Sequence, residues 1–156
     1  MKLLVITQKI DLRDDILGFM HEWIAEFARQ AEQVTAIGLY VGEHDLPKNV
    51  RVISLGKEKL GIRDQGLGIR KILYAYRFWW AIWKYRTEYD AVFVHMNQVY
   101  IPLGFPLWKL LGKKISLWYA HGHVPFGLRV AEKLADIIFQ KNLKERPNLS
   151  GNSLTA

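Results

Sequence analysis

The chain has 156 residues, half of them hydrophobic and 24% charged, which suits one folded domain and excludes a disordered chain. It has no cysteine, which excludes disulfides and thiolate metal sites and fits a reducing compartment. Its net charge of +7 predicts attraction to anionic partners, whether phosphate-bearing ligands, nucleic acid or anionic lipid.

The chain opens on a compact apolar run, Lys2–Thr7, that reads as a buried strand and is too short and too weakly basic for a signal peptide. Asp14 or Asp15 can cap a helix starting near Ile16, which carries Leu17, Met20, Ile24, Phe27, Ala28 and Ala31 at helical spacing. His21 falls on the apolar side of that helix and is expected to pack; His44 falls in a polar turn. Gln33–Val41 reads as a second strand and Val50–Leu55 as a third. A glycine-bearing loop follows, then a long helix, Ile69–Thr87, with five basic residues and no acidic one. Ile69, Ile72, Leu73, Tyr76, Trp80 and Trp83 share a face expected to pack on the sheet. That leaves Arg70, Arg77 and Lys84 outside, with Tyr74 and Phe78 at the side.

Ala91–His95 is a fourth strand, followed by a helix from near Pro102 to Leu111 with Gly112 as its C-cap. The uncharged stretch Ala91–Trp108 reaches membrane-span length. Its His95, Asn97, Gln98, Pro102, Gly104 and Pro106 read better as strand, turn and helix start. Lys114–Ala120 is a fifth strand, Leu128–Ala135 a helix and Asp136–Phe139 a sixth strand. Residues 140–156 lack an apolar period and read as an irregular or disordered tail, leaving residues 1–139 as the domain. The alternation predicts an α/β fold: a doubly wound, mainly parallel Rossmann-like sheet with helices on both faces.

In open parallel sheets ligands sit beyond the carboxyl ends of the strands. Three of the five histidines, His95, His121 and His123, fall at two of these ends. Imidazole can donate and accept hydrogen bonds and move protons near neutral pH, so these are the leading site candidates. His121 and His123 alternate on an extended segment, but two histidines without a third ligand assign no metal. No phosphate-loop motif is present, and the first strand is not followed by G-x-G-x-x-G, which disfavours an ATPase or a dehydrogenase.

Three segments, TQKIDLRDDILGF (Thr7–Phe19), AVFVHMNQVYIPLG (Ala91–Gly104) and LWYAHGHVPFGLRVAEKLADIIF (Leu117–Phe139), give the chain a further likeness. Over residues 1–139 it resembles the N-terminal domains of the family 4 glycosyltransferases, which have the GT-B fold. In that family two Rossmann-like domains face a cleft. The N-terminal one mainly holds the acceptor, and the C-terminal one mainly holds a nucleotide-sugar donor.

The resemblance implies that Gln8, Asp15 and Gly18 border the acceptor pocket and that His95, Asn97 and His123 belong to the substrate site. It makes His121 the catalytic candidate, in contact with the transferred sugar or the acceptor. It also implies that the leaving diphosphate is stabilised by basic side chains and helix-terminus amides rather than a bound metal. This domain would bind no cofactor, the nucleotide sugar going to the other half.

Two departures stand out. Asp11, Arg13, Asp14 and Asp15 occupy a loop that is glycine-rich in many relatives, and the family pattern stops after Phe139. The expectation is half of an enzyme, inactive alone, that is a truncated or frame-disrupted product or one part of a split enzyme. Many relatives glycosylate lipid-linked acceptors, so Arg70, Lys71, Arg77 and Lys84 are assigned to an anionic membrane surface, with a cytoplasmic, peripheral location. The competing reading is a non-catalytic basic module that binds anionic membrane or nucleic acid. The chain carries no compact nucleic-acid recognition motif and no aromatic RNA-binding strand.

Overall fold

A computed structural model describes residues 1–59, 68–120 and 126–140. His121, His123 and the tail from 141 onward lie outside the described residues, as does the side chain of Arg70. The elements are β1 (Lys2–Ile10), α1 (Phe19–Gln30), β2 (Gln33–Val41), β3 (Val50–Ser54), α2 (Gly68–Lys84), β4 (Ala91–His95), α3 (Tyr100–Leu110), β5 (Lys114–Tyr119), α4 (Phe126–Leu134) and β6 (Ile137–Gln140). One 3₁₀ turn, Lys57–Lys59, follows β3.

All five strand pairings are parallel and the order is β3-β2-β1-β4-β5-β6. The expected doubly wound sheet is therefore present, and its order reverses between β1 and β4. One face packs on α1 through Val5, Ile10, Met20, Ile24, Ala28, Val34, Ala36 and Phe93. The other carries the larger core, with Leu4, Ile6, Phe78, Ile82, Val92, Val94, Ile101, Trp108 and Leu117 contributed by the sheet, α2 and α3, and Leu128 by α4. Full burial of side chains of this size stabilises by about 1.5–3 kcal/mol each.

Boundaries moved where the chain meets the crevice. β1 runs three residues past Thr7, to Ile10, because Lys9 and Ile10 go on pairing with Tyr40 and Val41 of β2. α1 starts at Phe19, not near Ile16. Asp14 does cap, but it caps a preceding turn by accepting from the Ile16 and Leu17 amides (3.0 and 2.6 Å). Gln140 pairs in β6 rather than opening a tail. Gly112 ends α3 with φ +63, while the Lys113 amide reaches back to the Trp108 carbonyl (2.8 Å), as its C-cap reading required.

α2 lies with the opposite face inward from the one its sequence led us to expect. Phe78, Ala81 and Ile82 are buried and Tyr74 is half-buried. Ile72, Tyr76, Trp80 and Trp83 are at least half exposed. Apolar residues lie on more than one side of the helix, so its own period leaves the inward side open. The sheet takes the side where small Ala81 permits close approach. Arg77 fixes this rotation by donating to the Leu55 carbonyl (2.8 Å), its guanidinium lying over Gly56, which has φ +92 and no room for a side chain. Arg77 is therefore half-buried and anchored, not part of an outer basic surface, whereas Lys71 and Lys84 are exposed.

Candidate functional site

The strand order reverses where β1 and β4 run side by side, and each carries a buried polar residue there, Thr7 within β1 and His95 at the end of β4. Ile6 pairs with Val94, and one residue further Thr7 Oγ1 lies 3.3 Å from His95 Nδ1, both side chains fully buried. The His95 ring stacks on Trp118 of β5 (centroids 4.8 Å, 17°) and meets the edges of Phe19 (5.5 Å) and Trp23 (6.0 Å) of α1. Its Nε2 has no hydrogen-bond partner among the described residues. Burial lowers its pKa from 6.5 to about 4, so the imidazole is neutral at pH 7.

The backbone turns sharply after His95. Met96 has φ +61, the one positive value among described non-glycine residues, and the Asn97 amide donates to the His95 carbonyl (2.7 Å). That is a γ-turn of the strained kind, held because the Met96 amide bonds Trp118 O (2.8 Å) and the Ala120 amide reaches Met96 Sδ (3.4 Å). Asn97 is half-buried in this turn, and its carbonyl accepts from the Tyr100 amide (3.1 Å) at the start of α3.

On the β2 side of β1, Gln8 is exposed and lines an open cleft of about 320 Å³ with Lys9, Leu17, Leu39, Tyr40 and Lys57. The loop above it is ordered by Asp14, not by Asp15, which is exposed. Asp14 Oδ2 accepts from Lys9 Nζ (2.5 Å) while Oδ1 takes the two loop amides. The Lys9 ammonium, then the Leu17 amide, hold the Asp14 carboxyl down at about 2. The same bond raises the Lys9 pKa. A lysine and two backbone amides converging ahead of a helix form an anion seat, and here the chain's own carboxylate fills it. Gly18 is needed for close approach: a Cβ there would stand 2.6 Å from the Asp14 carbonyl oxygen.

The structure thus brings His95 and Asn97 together at the β4 end and sets Gln8 on the other side of β1. Sequence reasoning did not mark Thr7, Phe19, Trp23 or Trp118 as surroundings of His95. A threonine ending an apolar strand was the available signal for the first; the rings come from distant elements. His21 packs as expected, buried on α1, and its Nε2 accepts from the Asp45 amide (3.0 Å).

This is the architecture of a Rossmann-like domain with its switch point between β1 and β4. The sequence matches no family model and no curated protein. Among solved structures, the crystal structure of Acinetobacter baumannii MurG, a GT-B glycosyltransferase, is similar with a TM-score of 0.61 over 99% of this chain at 12% identity. The chain spans 45% of that protein's length. The likeness establishes a fold of the GT-B type, one Rossmann-like half of it.

Proposed function

We propose that the chain is the acceptor-side half of a GT-B glycosyltransferase, of the family 4 kind that its three sequence segments resemble. It would work with a donor-binding half, supplied in cis or in trans, that holds a nucleotide sugar. The acceptor would be a lipid-linked or free saccharide, met at the inner face of a membrane. The observation that carries this reading is the fold shared with MurG across nearly the whole chain. The self-filled anion seat at Asp14 supports it further: the loop where a dinucleotide fold would cradle a diphosphate is already neutralised, so a donor diphosphate belongs elsewhere. In this reading Asn97 borders the acceptor just beyond β4, with His121 nearest the transferred sugar, while fully buried His95 supports the turn from beneath rather than touching the acceptor.

The test is ligand binding by the isolated chain, followed by titration of nucleotide sugars and of lipid-linked and free saccharides in ligand-observed NMR. We expect saccharide binding, no nucleotide-sugar binding, and no sugar transfer by the chain alone. Tight nucleotide-sugar binding with no saccharide binding would assign the chain to the donor side, and turnover by the chain alone would remove the half-enzyme reading.

A further inference from the structure

α2 presents its outward side chains as one stripe. Ile72, Tyr76, Trp80 and Trp83 are 70, 67, 50 and 51% exposed, and with Ala75 and Trp79 they line a shallow apolar groove of about 600 Å³. Tryptophan and isoleucine are usually withdrawn from water, and a contiguous exposed patch of them marks a contact surface. The rings are held in place: Trp79 Nε1 donates to the Leu103 carbonyl (2.9 Å), Lys84 Nζ sits 4.4 Å over Trp80, and the Arg86 guanidinium sits 4.6 Å over Trp83. Lys71 and Lys84 are exposed on the same helix, which has no acidic residue from Gly68 to Lys84.

We propose that this stripe docks the protein on an anionic bilayer surface, with the aromatic rings at headgroup level and Lys71, Lys84 and Arg86 against lipid phosphates. The occupant follows from the chemistry of the patch. Amphipathic rings flanked by cations and free of carboxylates match an interface that is apolar below and negative above. A second copy of the chain fits poorly. A two-fold contact would set each cationic rim against its twin, and a stripe roughly 16 Å long on a helix about 10 Å wide falls far short of about 800 Å² per partner. Among the described residues no helix is long and apolar enough to cross a membrane, so the contact would be peripheral. The proposal stands on this exposed face and does not rest on glycosyl transfer.

The experiment is co-sedimentation of the full chain with vesicles of phosphatidylcholine containing phosphatidylglycerol, and with phosphatidylcholine alone, at low and raised salt. Tryptophan emission and light scattering are followed in parallel. We expect binding to the anionic vesicles only, a blue shift, and weakening by salt. Trp80→Ser with Trp83→Ser, and separately Lys71→Glu with Lys84→Glu, should each lower partitioning about tenfold or more while circular dichroism is unchanged, since these side chains lie outside the core. Absence of binding to anionic vesicles, or equal binding to both kinds, overturns the proposal. So does a lipid-free dimer that the tryptophan variant dissociates, which would assign the stripe to self-association.

Discussion

Thr7 Oγ1 lies 3.3 Å from His95 Nδ1, joining β1 to β4 at the place where the strand order reverses. Two buried polar side chains meet there among hydrophobic neighbours, and burying a polar group is costly unless it is hydrogen-bonded. Their mutual bond offsets part of that cost, and the ring's other nitrogen is left without a partner among the described residues.

His95 gives the fold a pH dependence with a definite sign. Its pKa is 6.5 ordinarily and about 4 in the folded chain, so between these values the unfolded chain holds a proton that the folded one lacks. The stability from a neutral His95 is complete above pH 6.5 and is lost as pH falls to about 4, by roughly 3 kcal/mol in all. Urea unfolding across that window should show the loss, and His95→Phe should flatten it relative to wild type. Parallel pH profiles for the two proteins would contradict the buried-neutral assignment.

Asp14 orders the β1–α1 loop through three donors, Lys9 Nζ and the Ile16 and Leu17 amides. Asp14→Ala should release both amides and leave Lys9 paired with Asp11 alone (3.3 Å). Hydrogen exchange at Ile16 and Leu17 should speed up. Asp14→Asn, which keeps an accepting oxygen, should retain more protection. Unchanged exchange in Asp14→Ala would show that the loop is held by other contacts. Because the folded carboxyl titrates at about 2 rather than 3.8, any stability it contributes is present above pH 3.8 and is lost only on further acidification.

Gly104 sits under the ring of Trp108, which is fully buried; a Cβ at Gly104 would stand 2.5 Å from two ring carbons. Gly104→Ala should therefore destabilise by about 1–3 kcal/mol through overpacking, although alanine is the better helix former. Thermal or urea denaturation measures this, and a more stable variant would mean that the ring can shift.

His121→Ala, in an enzyme reconstituted with its donor half, should lower kcat/KM by about 10²-fold or more if the imidazole moves a proton or steadies developing charge. Equal rates in a folded variant would remove His121 from the chemistry.

The sequence by itself determined the order and type of the elements. The Ala91–His95 and Gln33–Val41 strands matched the structure at both ends because strands covered on both faces carry near-continuous apolar runs. The rule that ligands meet the carboxyl ends of strands singled out His95 by position alone, and Asn97 came from the family resemblance. Local pattern could not say that His95 is walled in by Trp118, Phe19 and Trp23, since those rings arrive from β5 and α1. Nor could it choose between Asp14 and Asp15, of which Asp14 takes the Ile16 and Leu17 amides and reaches Lys9 while Asp15 is exposed. The orientation of α2 was decided wholly by tertiary contacts. IRKILYAYRFWWAIWKYRT offers apolar residues on more than one side, so the helical period has no single answer. The sheet selected the side with Phe78, Ala81 and Ile82 because a small residue and the Arg77–Leu55 bond allow the helix to seat closely. Three tryptophans were left on the outside as a result.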